Sequence, residues 1–163
     1  MPLVRPTGFA ADTWFRVEDD PERQPHAGMA EEEAVGRILP LARALQALEA
    51  GAEAIGLDLP NDAEPEQLET FFGRIALIAV DFPAFADGRG FSIGQRLRAL
   101  GYRGALRASG GLIPDQFAYA LVCGFDEVEI DDARAARQPE AQWLRDVGRP
   151  GWYQRALTAP GAA

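Results

Sequence analysis

The chain has 163 residues, 47% of them hydrophobic, which is enough for one domain with a real core and too few for two ordinary ones. Its 25 acidic against 16 basic residues give a formal net charge of −9 and a pI near 4.6. That charge repels phosphate backbones and anionic lipids, and argues against a general nucleic-acid or membrane-surface role. Every Lys/Arg position is arginine, so a Schiff-base lysine and a P-loop lysine are both absent. The single Cys123 cannot form an internal disulfide, and the single His26 lies in a Pro-rich stretch without other ligand types nearby, so no Cys/His zinc site is expected. No apolar run approaches a membrane span, and "MPLVRPTGFAADTWF" lacks the basic-then-apolar layout of a signal peptide. A cytoplasmic protein is the expectation.

Residues 1–30 are polar and rich in Pro and Gly, and read as an N-terminal arm containing one strand-like piece, "TWFRV". Trp14 and Arg16 face one way there, Phe15 and Val17 the other. In "EEEAVGRILPLARALQALEAG", Leu41, Leu45 and Leu48 recur at helical spacing, Pro40 suits the first turn and Gly51 supplies a stop. This predicts a helix from Pro40 to Ala50, with room for a short helix before it. From Ala54 the period alternates: "AIGLDL" reads as a strand, "PEQLETFFG" as a helix and "IALIAVDF" as a buried strand. Ser92 and Gln95 make a capping-box pair at the start of a helix that Gly101 ends, and the strand "GALRAS" follows. Pro114 and Asp115 open a further helix running to Gly124, after which "DEVEI" is the next strand. Near the C-terminus, Trp143 and Leu144 mark a helix that covers an edge.

Strict alternation with short links predicts a single α/β domain over 31–155, with a mainly parallel sheet of four or five strands and flanking helices. An open sheet and a curled, partial-barrel arrangement both fit the pattern. Residues 156–163 read as a disordered tail.

In parallel α/β folds ligands bind beyond the carboxyl ends of the strands. Those loops carry Asp58 and Asn61, then Asp81, Asp87, Gly88, Arg89 and Gly90, then Arg107, Ser109, Gly110 and Gly111, then Asp131 and Asp132. In "ADGRGFS" two glycines flank Arg89 ahead of a helix, so backbone N–H groups, the helix dipole and a guanidinium can converge on one anion. The competing reading is a tight turn held by Arg89 pairing with Asp81 or Asp87. Arg107 and Ser109 share one face of their strand. A charge inside a central strand requires a partner, and Asp81 or Glu129 would serve. Asp81 can act as a base or as an arginine orienter, and Asp115 and Gln116 suit helix capping or ligand contact. The spacing "GRGFSIG" is Gly-x-Gly-x-x-x-Gly, which departs from the dinucleotide fingerprint.

The block "LIAVDFPAFADGRGFSIGQRLRALGYRGALRASGGLIPDQFAYALVCGFDEVEI" resembles a bacterial domain-of-unknown-function family assigned to sulfite reduction as an oxidoreductase and encoded among sulfate-assimilation genes. The features carrying the resemblance are the Asp-Gly-Arg-Gly of 87–90 with Ser92, the Leu-Arg-Ala of 106–108, Asp115-Gln116 and the Gly-Phe-Asp of 124–126. The chain departs from the family's usual pattern at Gly110-Gly111-Leu112-Ile113. The resemblance implies a small accessory protein of assimilatory sulfite reduction. The expected site takes a small oxyanion or a phosphate-bearing cofactor, with Asp81 and Arg107 as the reactive pair and Asp87, Gly88, Arg89, Gly90, Ser92, Ser109, Asp115 and Gln116 as ligand contacts. The alternative is a non-catalytic acidic partner of sulfite reductase or its electron donor. The cofactor, and whether the protein is an enzyme at all, stay open at this level.

Overall fold

A computed structural model describes residues 2–17 and 31–148. Its strands are β1 (Pro2–Arg5), β2 (Gly8–Ala11), β3 (Trp14–Arg16), β4 (Gly36–Pro40), β5 (Ile55–Leu59), β6 (Ile75–Phe82), β7 (Ala105–Gly110) and β8 (Glu127–Glu129). The helices are α1 (Leu41–Glu49), α2 (Arg89–Ala99), α3 (Pro114–Val122), α4 (Asp132–Arg137) and α5 (Glu140–Leu144). All eight strands form one sheet in the order β2-β1-β8-β7-β6-β5-β4-β3. Strands β3 to β8 run parallel, while β1 lies antiparallel to β8 and β2 antiparallel to β1.

The single α/β domain is therefore as expected, but the sheet is eight-stranded and mixed, not a mainly parallel sheet of four or five strands. Two sequence features hid the extra strands. The apolar pair Ile38-Leu39 of β4 runs straight into the helical stripe of α1, so strand and helix read as one segment. Strands β1 and β2 open on Pro2 and Gly8, which weaken a strand pattern yet are tolerated at a strand's first residue or at a sheet edge. His26 and the tail 156–163 lie outside the described residues, in which no helix is long and apolar enough to cross a membrane.

The sheet is strongly curled. Strands β2 and β3 end the sheet on opposite sides, yet only Asp12 and Thr13 separate them in the chain. Eight flat strands extend about 34 Å at ~4.8 Å spacing, whereas the chain from Ala11 to Trp14 spans at most ~11 Å. The sheet has to roll until its two edges meet at this link. In agreement, Arg16 of β3 bonds Glu129 of β8 at 2.6 Å, five ladders away.

Because β3 to β8 are neighbours in chain order, right-handed crossovers keep the helices on one outer face. Alternation then divides the side chains. Leu57, Leu59, Ile78, Val80, Leu106, Ala108 and Val128 point outward into a core shared with Leu48, Leu97 and Phe117 of the helices. Ile38, Leu77 and Ala79 point inward, packed with Trp14 and Ala105. The same inward face carries charge, with Arg16 beside Ile38 and with Asp58, Arg107 and Glu127 in the row of Ala79.

Local chemistry sets the helix limits. Gly101 and Gly124 take φ of +100° and +96° just past α2 and α3, the left-handed conformation that ends a helix cheaply only with glycine. The helix predicted over Pro65–Gly73 winds as a 3₁₀ helix spanning Pro65–Arg74. Helix α2 starts at Arg89, three residues before the expected Ser92 cap; the Asp87 carboxylate takes the capping role by accepting the Arg89 N–H at 3.1 Å. Trp143 of α5 is buried edge-on against Phe117 of α3, and Glu140 at the start of α5 accepts the Phe9 N–H of the edge strand β2 at 2.6 Å, so the expected helix sits beside a sheet edge while its tryptophan packs on α3.

Candidate functional site

The Gly-Arg-Gly loop is closed upon itself. Asp87 accepts from Arg89 Nε at 3.0 Å and Nη2 at 2.7 Å, and from Asn61 Nδ2 at 2.7 Å. The Arg89 bonds hold the Asp87 carboxyl down at about 2. Of the two sequence readings, the turn held by an Asp87–Arg89 pair is the arrangement observed, and it satisfies the charge that an external anion would seek. Gly88 precedes the first turn of α2, and Ser92 is exposed on that helix.

The glycines of this segment serve packing. A Cβ on Gly90 would lie 2.4 Å from the Phe82 ring, and one on Gly94 would lie 2.4 Å from the Phe125 ring. Spaced four residues apart, the two glycines form one bare stripe on α2 into which both aromatics press. The spacing "GRGFSIG" thus describes a close helix–sheet contact.

Asp115 and Gln116 sit at the N-terminus of α3. Asp115 pairs with Arg145 at 2.9 Å. Gln116 accepts the Ile113 N–H through Oε1 at 3.2 Å and donates from Nε2 to the Phe85 carbonyl at 2.8 Å, tying α3 to the loop after β6. Gly110, with φ +114°, and Gly111 let the next loop lie directly on this one, as a Cβ on either would strike the Phe82 carbonyl or the Ala84 backbone. Arg134 donates to the Gly110 and Leu112 carbonyls at 2.8 and 2.7 Å and holds that loop from the other side.

Arg107, Ser109 and Asp81 come together elsewhere, on the inner face of the curled sheet. The register aligns Ala79, Arg107 and Glu127 across β6, β7 and β8, and Asp81, Ser109 and Glu129 across the next inward row. Arg107 is fully buried. It donates from Nε to Glu127 at 2.8 Å, from Nη1 to Glu129 at 3.2 Å, and from Nη1 and Nη2 to the two Asp12 oxygens at 2.8 and 2.9 Å. Burial alone would lower its pKa, but the Asp12 bonds and the charges of Glu127 and Glu129 outweigh it and raise the pKa, so the guanidinium is permanently charged. Arg16 reaches the same cluster from β3: it bonds Glu129 at 2.6 Å, Ser109 Oγ at 3.4 Å, and Asp58. Arg5 closes the ring onto Glu127 at 2.8 Å. Asp81 is exposed at the rim.

The proposed residues thus fall into three places: the first turn of α2, the first turn of α3, and the inner cluster. The partners Asp12, Arg16, Arg5 and Glu127 were not singled out from sequence, although a signal existed. Asp12, Trp14 and Arg16 alternate in "DTWFR", and Glu127 and Glu129 alternate in "EVE", so each set shares one strand face. Glu129 does partner Arg107, as one reading anticipated. Cys123 is buried, which pushes its thiol pKa up and makes it unreactive.

Residues 56–162 match the family model described as "Bacterial protein of unknown function (DUF934)". The matched segment contains Asp58, Asp81, Arg107, Glu127 and Glu129, while Asp12 and Arg16 precede it. A search of curated proteins found no match. With well over half its length matched, the chain belongs to this bacterial family, DUF934.

Proposed function

We propose that this is a cytoplasmic accessory protein of assimilatory sulfite reduction that binds a small oxyanion at the inner cluster of the curled sheet. The pathway rests on the sequence resemblance. The observation that carries the site is that two buried guanidiniums, Arg16 and Arg107, converge on one carboxylate oxygen of Glu129 at 2.6 and 3.2 Å, with Ser109 and Asp81 on the same face towards the rim. Both are paired with the chain's own carboxylates, so an anion binds here by taking a carboxylate's place, in an interior whose low dielectric strengthens whatever contact it then makes. A compact oxyanion suits this interior better than a phosphate-bearing cofactor, for which a glycine-lined approach to a free helix N-terminus would be needed. Asp87 fills that position on α2. A deletion strain tests the pathway: growth on sulfide but not on sulfate or sulfite is expected, and normal growth on sulfite would overturn the assignment.

One observation favours a second reading, an acidic docking partner for sulfite reductase or its electron donor. Residues 44–73 contain seven acidic side chains and no basic one. Glu49, Glu53, Asp62, Glu64 and Glu69 among them are exposed, a one-signed surface of the kind that steers a basic partner. Co-purification with sulfite reductase across a salt series separates the readings, since a steered complex weakens as salt rises.

A further inference from the structure

We propose that Arg107 is the receptor for a small anion bearing two oxygens on one atom, a carboxylate or sulfite, and that the chain's own Asp12 carboxylate occupies this receptor as a stand-in. The proposal rests on the reading of the inner cluster as a ligand site and names the group that the ligand replaces.

The geometry distinguishes Asp12 from the other partners of Arg107. Glu127 and Glu129 stand on β8, whose ladder with β7 fixes them opposite Arg107 and Ser109. Asp12 stands in the two-residue link between β2 and β3, which belongs to no strand. Its side chain is also the most accessible of the three, 14% exposed against 6% and 2%, so it lies on the solvent side of the guanidinium. It uses both oxygens on the Nη1–Nη2 edge, the two-point arrangement that a free carboxylate or a sulfur oxyanion reproduces.

Charge balance permits the exchange. Leaving aside Asp81 at the exposed rim, the ion pairs without Asp12 hold three cations, Arg5, Arg16 and Arg107, against three anions, Asp58, Glu127 and Glu129. A monoanion taking the place of Asp12 restores the same total. An empty place would leave buried donors of Arg107 without acceptors, which is a strong drive for occupation. The other Asp12 bond, accepted from the Trp14 N–H at 3.0 Å, is lost on exchange and transfers to water as the link moves outward. Competition by Asp12 raises the apparent Kd by the inverse of the fraction of time it leaves the place vacant.

The test uses the full chain with Asp12→Ala and Asp12→Asn. Asn keeps the volume and an acceptor for the Trp14 N–H, so it reports even if the Ala variant does not fold. Thermal unfolding and calorimetry are run with sodium acetate and with anaerobic sulfite, against sodium chloride at equal ionic strength. Both variants are expected to melt below wild type, to regain stability saturably with acetate or sulfite but not chloride, and to bind at least on the order of tenfold more tightly than wild type. The anion that acts identifies the source, a carboxylate or a sulfur oxyanion. Folded variants with no anion-specific stabilisation would overturn the proposal. Sulfite binding to wild type that the Asp12 variants leave unchanged would also overturn it, while sparing the ligand-site reading. The pathway assignment stands or falls separately on the deletion strain.

Discussion

Arg107 and Asp12, ninety-five positions apart in the chain, meet inside the curled sheet through two side-by-side hydrogen bonds of 2.8 and 2.9 Å. The pair joins a central strand to the link where the two edges of the sheet come together, so it ties the curl from within.

Removing the cation should therefore be costly. Arg107→Ala leaves Glu127 and Glu129 buried with a principal counter-charge gone, and the expected loss is about 3–5 kcal/mol, typical of breaking a buried ion pair from one side. Arg107→Lys should recover only part, because an ammonium cannot make the two-point contact with Asp12. Urea unfolding of the three proteins measures this, and an alanine variant within 1 kcal/mol of wild type would contradict the network.

The bare stripe on α2 makes a second prediction. Alanine in place of Gly90 or Gly94 gains helix propensity of roughly 1 kcal/mol. It also sets a methyl against Phe82 or Phe125, rings already packed edge-on against each other, Phe82 against Phe91 as well. Overpacking of this kind typically costs about 1–3 kcal/mol, so net destabilisation is expected. Combining Gly90→Ala with Phe82→Leu should relieve much of the clash, and the thermal melts of the double-mutant cycle should be non-additive.

Acid titration addresses the Gly-Arg-Gly loop. Bonding to Arg89 depresses the Asp87 carboxyl from 3.8 to about 2 in the folded protein. A depressed carboxyl stabilises the fold above its unfolded pKa, and this contribution disappears as pH falls from about 4 through about 2. Carboxyl-resolved NMR should find Asp87 titrating at that lower value, and Arg89→Gln should move it back towards the ordinary aspartate range. No change on removing Arg89 would dismiss the pair as the cause.

Arg98 supplies a fourth test. From the C-terminal half of α2 it donates to the carbonyls of Gly124, Tyr102 and Gly104 at 2.9–3.0 Å and to Asp126 at 2.7 Å. It thus pins the turns that precede β7 and β8. Arg98→Ala should cost about 2 kcal/mol or more, beyond the usual effect of a partly exposed arginine, since several carbonyls lose a charged donor together. Hydrogen exchange should rise first around residues 102–104 and 124–126.

Much of the outer layer was legible in the chain itself. The 3.6-residue stripe of Leu41, Leu45 and Leu48, the glycine stops at 101 and 124, and the unbroken run of Ile75–Phe82 depend on neighbours a few residues away, and local periodicity reports such contacts directly. The chain also revealed that Arg107 needed a partner, because no isolated charge is stable inside a sheet. Tertiary structure alone decided which partners those were. The curl brings β3 opposite β8, and only then do Arg16, Asp12 and Glu129 meet; no spacing within the chain encodes a contact across five ladders. The same holds for Gly90, where a glycine ahead of a helix looks alike whether an anion or the Phe82 ring comes close, and packing from a distant strand makes the choice.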